Sequence, residues 1–188
     1  AVGHWLINQS KTGFYYTAFL LCLLCSLQWY ELQKRNKQFQ LVIYNTTRIT
    51  ALTWIKGKTA ISFTTAKDEE DSIHLRYLTK PCEAVFQVRQ HQFNALVPML
   101  SLPACTMMIP DRTRVPPTSS AEPVHFLLVS RMAPFQGLGW VRGRSIQFAV
   151  LDATLGTKTR NEWKKLLNKE KIPFYDIRVS GAFVHSLR

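Results

Sequence analysis

The chain has 188 residues, 46% of them hydrophobic, with 24 Lys and Arg against 12 Asp and Glu for a net charge of +12. That length holds one domain with a full core plus an additional element, and the apolar content excludes an unstructured polar chain. Residues 1–38 carry Lys11, Lys34, Arg35 and Lys37 against Glu31, which leaves +9 on residues 39–188, so the excess is spread over the body of the chain. A surface of that sign favours anionic partners, namely nucleic acid, acidic lipid or an acidic protein, and is otherwise a solvated face with a high isoelectric point.

The chain opens at Ala1 with no signal-peptide character before its first apolar run and reads as a piece of a longer polypeptide. Gly13–Tyr30, "GFYYTAFLLCLLCSLQWY", is 18 residues without a charge, bounded by Lys11 and by Glu31, Lys34, Arg35 and Lys37. Its length is at the lower edge for a bilayer-crossing helix, and Tyr15, Tyr16, Trp29 and Tyr30 stand where interfacial aromatics belong. The sequence therefore predicts a transmembrane helix over about 13–30 within an N-terminal segment 1–38, followed by a soluble domain over 39–188; the plainer alternative is a buried core helix. More Lys and Arg follow the span than precede it, which taken alone places residues 31–188 in the cytoplasm. Cys22 and Cys25 have C-x-x-C spacing, but their apolar setting and the lack of a second pair make them small apolar residues. Cys82 and Cys105 could pair if the domain faces an oxidising compartment, and nothing in the sequence demonstrates that they do.

From Phe39 the pattern turns to strands. Phe39–Asn45 is short, apolar and β-branched, and Ile49–Thr65 holds two alternating runs around Lys56-Gly57-Lys58, a β-hairpin. Lys67–Ser72, "KDEEDS", is an acidic solvated loop or helix start rather than a cation site. Ile73–Tyr77 and Ala84–Val88 read as short strands, Phe93–Leu102 is apolar around a proline, and Ile109–Pro123 is a Pro- and Ser-rich surface loop. Val124–Ser130, "VHFLLVS", is a buried strand; Pro134–Ser145 is a loose helix or loop; Ile146–Thr154 is a second buried strand. Thr159–Ile172 is an amphipathic helix opened by a Thr159/Glu162 capping box, with Trp163, Leu166 and Leu167 on its apolar face, and stopped by Pro173. Two short strands flank Ser180-Gly181. Strand, crossover, strand, helix, strand is an α/β pattern.

Catalytic chemistry leaves little trace. No two of His4, His74, His91, His125 and His185 lie within six residues of each other, so a compact histidine metal cluster is absent, and His125 and His185 read as satisfied core or edge histidines. Ser130 lacks a G-x-S-x-G elbow, and the glycines of Gly137–Gly143 have the wrong spacing for a phosphate loop. A nucleic-acid surface would instead use Arg131, Arg142, Arg144, Lys158, Arg160, Lys164 and Lys165, with Trp140 and Trp163 interleaved for stacking. Arg131 follows one strand end and Lys158 and Arg160 follow the next, so parallel neighbouring strands would bring them to one edge. Trp163 fits the core better by its helical spacing.

The apolar span, "QFQLVIYNTTRITALTWIKGK", "HFLLVSRMAP", "FAVLDAT" and "NEWKKLLNKEKIPFYDIRVSGAFVHSL" together resemble the C-terminal end of ComEC competence proteins, over about Phe14–Leu187 and least over 73–123. These are polytopic inner-membrane proteins that carry single-stranded DNA during natural transformation. The resemblance implies an α/β, reduced metallo-β-lactamase-like domain preceded by one transmembrane helix. In longer members that domain carries an early H-x-H-x-D-H motif and a later His-His-Gly-Ser at a strand end. Here the early motif is absent, Ser130 and Arg131 stand where the later histidines would be, and Leu155-Gly156-Thr157 carries no histidine. No family metal ligand transfers, so no cofactor and no catalytic residue is expected.

The resemblance thus implies a non-catalytic accessory domain of a DNA-uptake channel, partnered by single-stranded DNA, the membrane, the rest of the channel and other competence proteins. It places the domain on the periplasmic or outer side of the inner membrane, against the charge flank. Two alternatives stand beside it: a metal-dependent nuclease or hydrolase with rearranged ligands, for which the strand-end acid Asp152 is the best candidate, and a plain structural domain of another membrane protein.

Overall fold

The computed structural model describes residues 11–66, 68–102, 105–111, 123–133, 141 and 145–187. They form two compact units, divided between Gln38 and Phe39. The first contains one long helix, α1 (Lys11–Asn36). The second contains ten strands: β1 (Phe39–Ile43), β2 (Ala51–Lys56), β3 (Thr59–Thr64), β4 (Gln90–Ala95), β5 (Met99–Leu102), β6 (Cys105–Met108), β7 (Val124–Val129), β8 (Ile146–Leu151), β9 (Phe174–Asp176) and β10 (Phe183–Ser186). Its helices are α2 (Glu69–Phe86), α3 (Thr157–Lys169) and the single turn α4 (Ile177–Ser180).

The expected helix over 13–30 forms and extends beyond both ends. Apolar side chains such as Phe19, Leu21, Leu24, Leu27 and Trp29 are exposed along it. No helix among the described residues is long and apolar enough to cross a membrane. Its unbroken apolar centre, Ala18–Cys25, spans only ~12 Å at the helical rise of about 1.5 Å per residue. Tyr15, Tyr16, Thr17, Ser26 and Gln28 dilute the remainder.

Residues 39–187 fold as two five-stranded sheets, ordered β10-β1-β2-β3-β4 and β5-β6-β7-β8-β9. β1, β2 and β3 are antiparallel, and the hairpin turns through Gly57, whose φ of 58° suits the first loop position of a two-residue hairpin. α2 is the crossover between parallel β3 and β4, and α3 is the crossover between parallel β8 and β9. β6, β7, β8 and β9 run parallel, as the βαβ pattern predicted. The last strand leaves the second sheet and pairs with β1 at the edge of the first.

Three apolar layers follow from this order. Leu41, Ile43 and Leu52 of the first sheet meet Met107, Phe126, Leu128 and Val150 of the second, with Phe183 closing the seam. α2 covers the outer face of the first sheet through Leu75, Leu78, Cys82 and Phe86 against Val42, Ala51, Ile55 and Ala60. α3 covers the second through Trp163, Leu166 and Leu167 against Leu127, Val129, Ala149 and Leu151. The result is a four-layer α/β/β/α sandwich. β7 and β8 are largely buried on both faces, which is why they read as apolar runs interrupted at His125 and Gln147.

Several sequence expectations are corrected. Neither Ile73–Tyr77 nor Ala84–Val88 is a strand: the first lies within α2, and the second covers the end of α2, its C-cap Gln87 and Val88 just beyond. Ile73, Leu75 and Tyr77 alternate, yet on a helix they divide between faces: Leu75 and Thr79 are buried, while Ile73 and Tyr77 are exposed. The acidic run opens α2, with Glu69, Glu70 and Asp71 in the first turn, where the helix dipole favours them. The Thr159/Glu162 capping box does not form, because α3 starts at Thr157 with Gly156 as its N-cap. Phe174–Leu187 contains a helical turn between its two strands, and those strands lie in different sheets. Cys82 and Cys105 are free. They sit on opposite faces of the first sheet, Cys82 on the inner face of α2 and Cys105 between the sheets. Burial raises both thiols above their ordinary titration range.

Candidate nucleic-acid interface

The C-terminal ends of β3, β4, β6, β7 and β8 come to one edge of the sandwich. The segments that follow them line a cleft of about 470 Å³, walled by Thr64 and Ala66, Ala95–Pro98, Ile109–Asp111, Ser130–Met132 and Thr154. Arg48–Thr50 and the start of α2 close its far side. Strand carboxyl ends are where α/β sheets gather ligands, because side chains from several strands converge there on backbone fixed by the sheet. "VHFLLVS" therefore ends at this cleft, through Ser130 and Arg131.

Behind the lining residues Thr50 and Thr154 lies a buried carboxylate. Asp152 follows β8 directly and is fully buried. Its Oδ2 accepts from Thr50 Oγ1 at 2.5 Å and from Thr154 Oγ1 at 2.6 Å, and its Oδ1 accepts from the Ala153 N–H at 2.8 Å. Thr154 Oγ1 in turn accepts from the Arg131 N–H at 3.1 Å. One carboxylate thus ties the β1–β2 loop of one sheet to the ends of β7 and β8 in the other. Loss of water raises the Asp152 carboxyl above its ordinary range, against the opposing effect of these hydrogen bonds. Asp152 faces two hydroxyls, not the open cleft, so it holds the cleft together rather than reaching a ligand.

Arg131 is exposed at the tip of β7, and its guanidinium makes no ion pair with a described residue. Arg48 differs: Glu70 takes it in a bidentate pair at 3.0 Å, and Asp71 lies 2.7 Å from its Nε. That pairing holds Glu70 below the usual carboxylate range and neutralises Arg48. Lys158 is exposed in the first turn of α3.

Two expected surface cations are engaged elsewhere. Arg160 is 5% exposed; its guanidinium donates to the carbonyls of Asp152, Ala153 and Leu155 at 3.0–3.4 Å, and its Nε lies 3.5 Å from Asp176 Oδ1. It pins the β8–α3 loop and is unavailable to a phosphate. Lys164 stands 2.7 Å from the buried carboxylate of Asp176. Lys165 is exposed, and Trp163 is fully buried in the core. Arg142, Arg144 and Trp140 lie outside the described residues. His125 is half-buried at the start of the central strand β7, where its Nδ1 accepts from the Thr106 N–H, and His185 stacks on Phe183.

Among the described residues, no three His, Cys, Asp or Glu side chains converge on one point. The β7 end presents a hydroxyl and a guanidinium, and the β8 acid is committed to two threonines. Arg48, Thr50 and Thr154 were not picked out in the sequence, since their roles come from sheet-to-sheet juxtaposition; only Thr154, two residues after a strand-end acid, carried any local hint.

The domain is thus a two-sheet α/β module with a strand-end cleft rimmed by arginine. The family model of the ComEC C-terminal domain matches residues 41–187. The chain belongs to that family and so to the competence proteins of DNA uptake. No curated protein and no solved structure matched.

Proposed function

We propose that residues 39–188 are a non-catalytic, DNA-contacting domain of an inner-membrane channel for single-stranded DNA, and that α1 associates with the bilayer. The observation that carries this reading is the β7 end: a preserved strand-end cleft presents Arg131, with Ser130 beside it, where metal chemistry would need imidazoles. An exposed guanidinium is a phosphate group's partner and repels a metal ion. The four-layer sandwich supports a reduced metallo-β-lactamase-like scaffold whose site has changed use. The charge of +12 and exposed Lys158 support an anionic strand across this edge.

Apolar side chains along α1, with Tyr15, Tyr16, Trp29 and Tyr30 near the ends of the segment, support insertion into lipid. In this reading the domain faces outward. A membrane-impermeant thiol reagent added to intact cells labels Lys158→Cys in a C22S/C25S background if that is so, and labels it only after lysis if the domain is cytoplasmic. The functional test is DNA uptake by cells whose chain carries Arg131→Glu with Lys158→Glu. Uptake falls while the amount of membrane-bound chain is unchanged; unimpaired uptake would leave only a bracing role for the domain.

A further inference from the structure

β4 is an edge strand, paired on one side with β3, yet its aromatic side chain is held with unusual care. Phe93 is 43% exposed, and the ring of His91 stacks behind it with centroids 4.3 Å apart and planes 17° from parallel. His91 is fixed at both ring nitrogens. Nε2 meets Ser62 Oγ of β3 at 2.7 Å, and Nδ1 meets Glu83 Oε1 of α2 at 2.5 Å. Ser62 is fully buried and hydrogen-bonded to Thr53 of β2. Both ring nitrogens are bonded, one of them to buried Ser62, so the phenyl ring lies on an anchored imidazole.

Phe93 also walls a separate pocket of about 300 Å³ between α2 and the end of β4, with Ser72, Arg76 and Asn94 on its rim. That pocket shares Thr64, Ala66 and Ala95 with the cleft that holds Arg131, so the two adjoin. An exposed aromatic face, an amide and a hydroxyl beside it, and an arginine at the mouth are the groups that bind an unpaired base and its phosphate. A single exposed phenylalanine is ordinary. One backed by an imidazole bonded at both ring nitrogens, and opening into a pocket that adjoins the cleft holding Arg131, is built to present a flat surface.

We infer that the α2–β4 pocket takes one unpaired nucleobase, stacked on the face of Phe93 away from His91, with Arg76 at the adjoining phosphate. The strand reaches it from the Arg131 cleft. This inference rests on the single-stranded DNA reading above.

The test compares oligo(dT) with an abasic oligonucleotide of equal length, binding to the full chain at low salt. Stacking makes oligo(dT) bind about tenfold tighter than the abasic strand. Phe93→Ala and the volume-preserving Phe93→Leu both remove that advantage and leave abasic binding unchanged. Oligo(dT) carrying 4-thiothymidine cross-links on irradiation to the β4 end. Equal affinity for the two strands, a Phe93→Leu chain that binds oligo(dT) as tightly as the wild type, or cross-links confined to other elements would overturn the base site and leave the phosphate cleft standing. Binding of neither strand would overturn both.

Discussion

Replacing Asp152 by Asn tests the support behind the cleft most sharply. The side chain keeps its shape, one carbonyl oxygen still accepts from the Ala153 N–H, and the new amide donates where Thr50 and Thr154 donated. Two hydroxyls must reverse, so a cost of about 1–2 kcal/mol is expected where the acid is charged. The pH dependence discriminates further. Burial raises the folded-state pKa of Asp152, so the folded chain binds more protons than the unfolded one between the ordinary carboxyl value of 3.8 and the raised value. The contribution of Asp152 is fully present below 3.8 and is lost as pH rises through the folded value. The slope cannot exceed about 1.4 kcal/mol per pH unit for one proton. Urea midpoints of both full chains, followed by near-ultraviolet circular dichroism from pH 3.5 to 8, report the difference. Stability of the wild type relative to Asp152→Asn should decline as pH rises. A difference that instead grows in favour of the wild type would mean the threonines stabilise the carboxylate more than burial opposes it, and the reasoning would fail.

Other substitutions probe the framework. Arg160→Ala strands three carbonyls and removes one cation from Asp176, and should cost about 3–5 kcal/mol in a denaturant titration; Arg160→Lys keeps the charge but not the fork and should fall between. Trp163→Ala opens a cavity under α3 and should cost about 3–5 kcal/mol by the same assay. In detergent, maleimide should modify Cys22 and Cys25 quickly, Cys82 slowly and Cys105 only on unfolding; rapid modification of Cys105 would contradict its place between the sheets. Arg131→Ala and Lys158→Ala should each flatten the salt dependence of DNA binding by ~0.7 in the log–log slope, as expected for one phosphate contact each on a single strand.

The last third of the chain was the most legible because its physics is local. β7 and β8 are apolar runs interrupted at His125 and Gln147, and α3 carries one apolar stripe ended by Pro173, so run length and periodicity locate them. α2 was hidden, since Ile73, Leu75 and Tyr77 mimic strand alternation and Pro81 sits inside the helix. The β7 tip was identified from the strand and from what stands in place of histidines. The rest of the cleft depends on contacts at long sequence separation: Thr50 meets Asp152 across 102 residues, and no local pattern announces that pairing. Charge counting also misled at Arg160 and Lys164. A basic residue on a helix looks alike in sequence whether it faces solvent or neutralises a buried Asp176.

The central claim is that this cleft engages the DNA backbone through Arg131 without a metal. The direct measurement is fluorescence anisotropy of a labelled single-stranded oligonucleotide with the full chain in excess EDTA, for the wild type and for Arg131→Glu. The account predicts wild-type binding that is indifferent to the chelator and falls steeply with salt, and an Arg131→Glu chain of unchanged thermal midpoint that binds about tenfold more weakly. Binding that requires a divalent cation, or an Arg131→Glu chain that binds as tightly as the wild type, would contradict it.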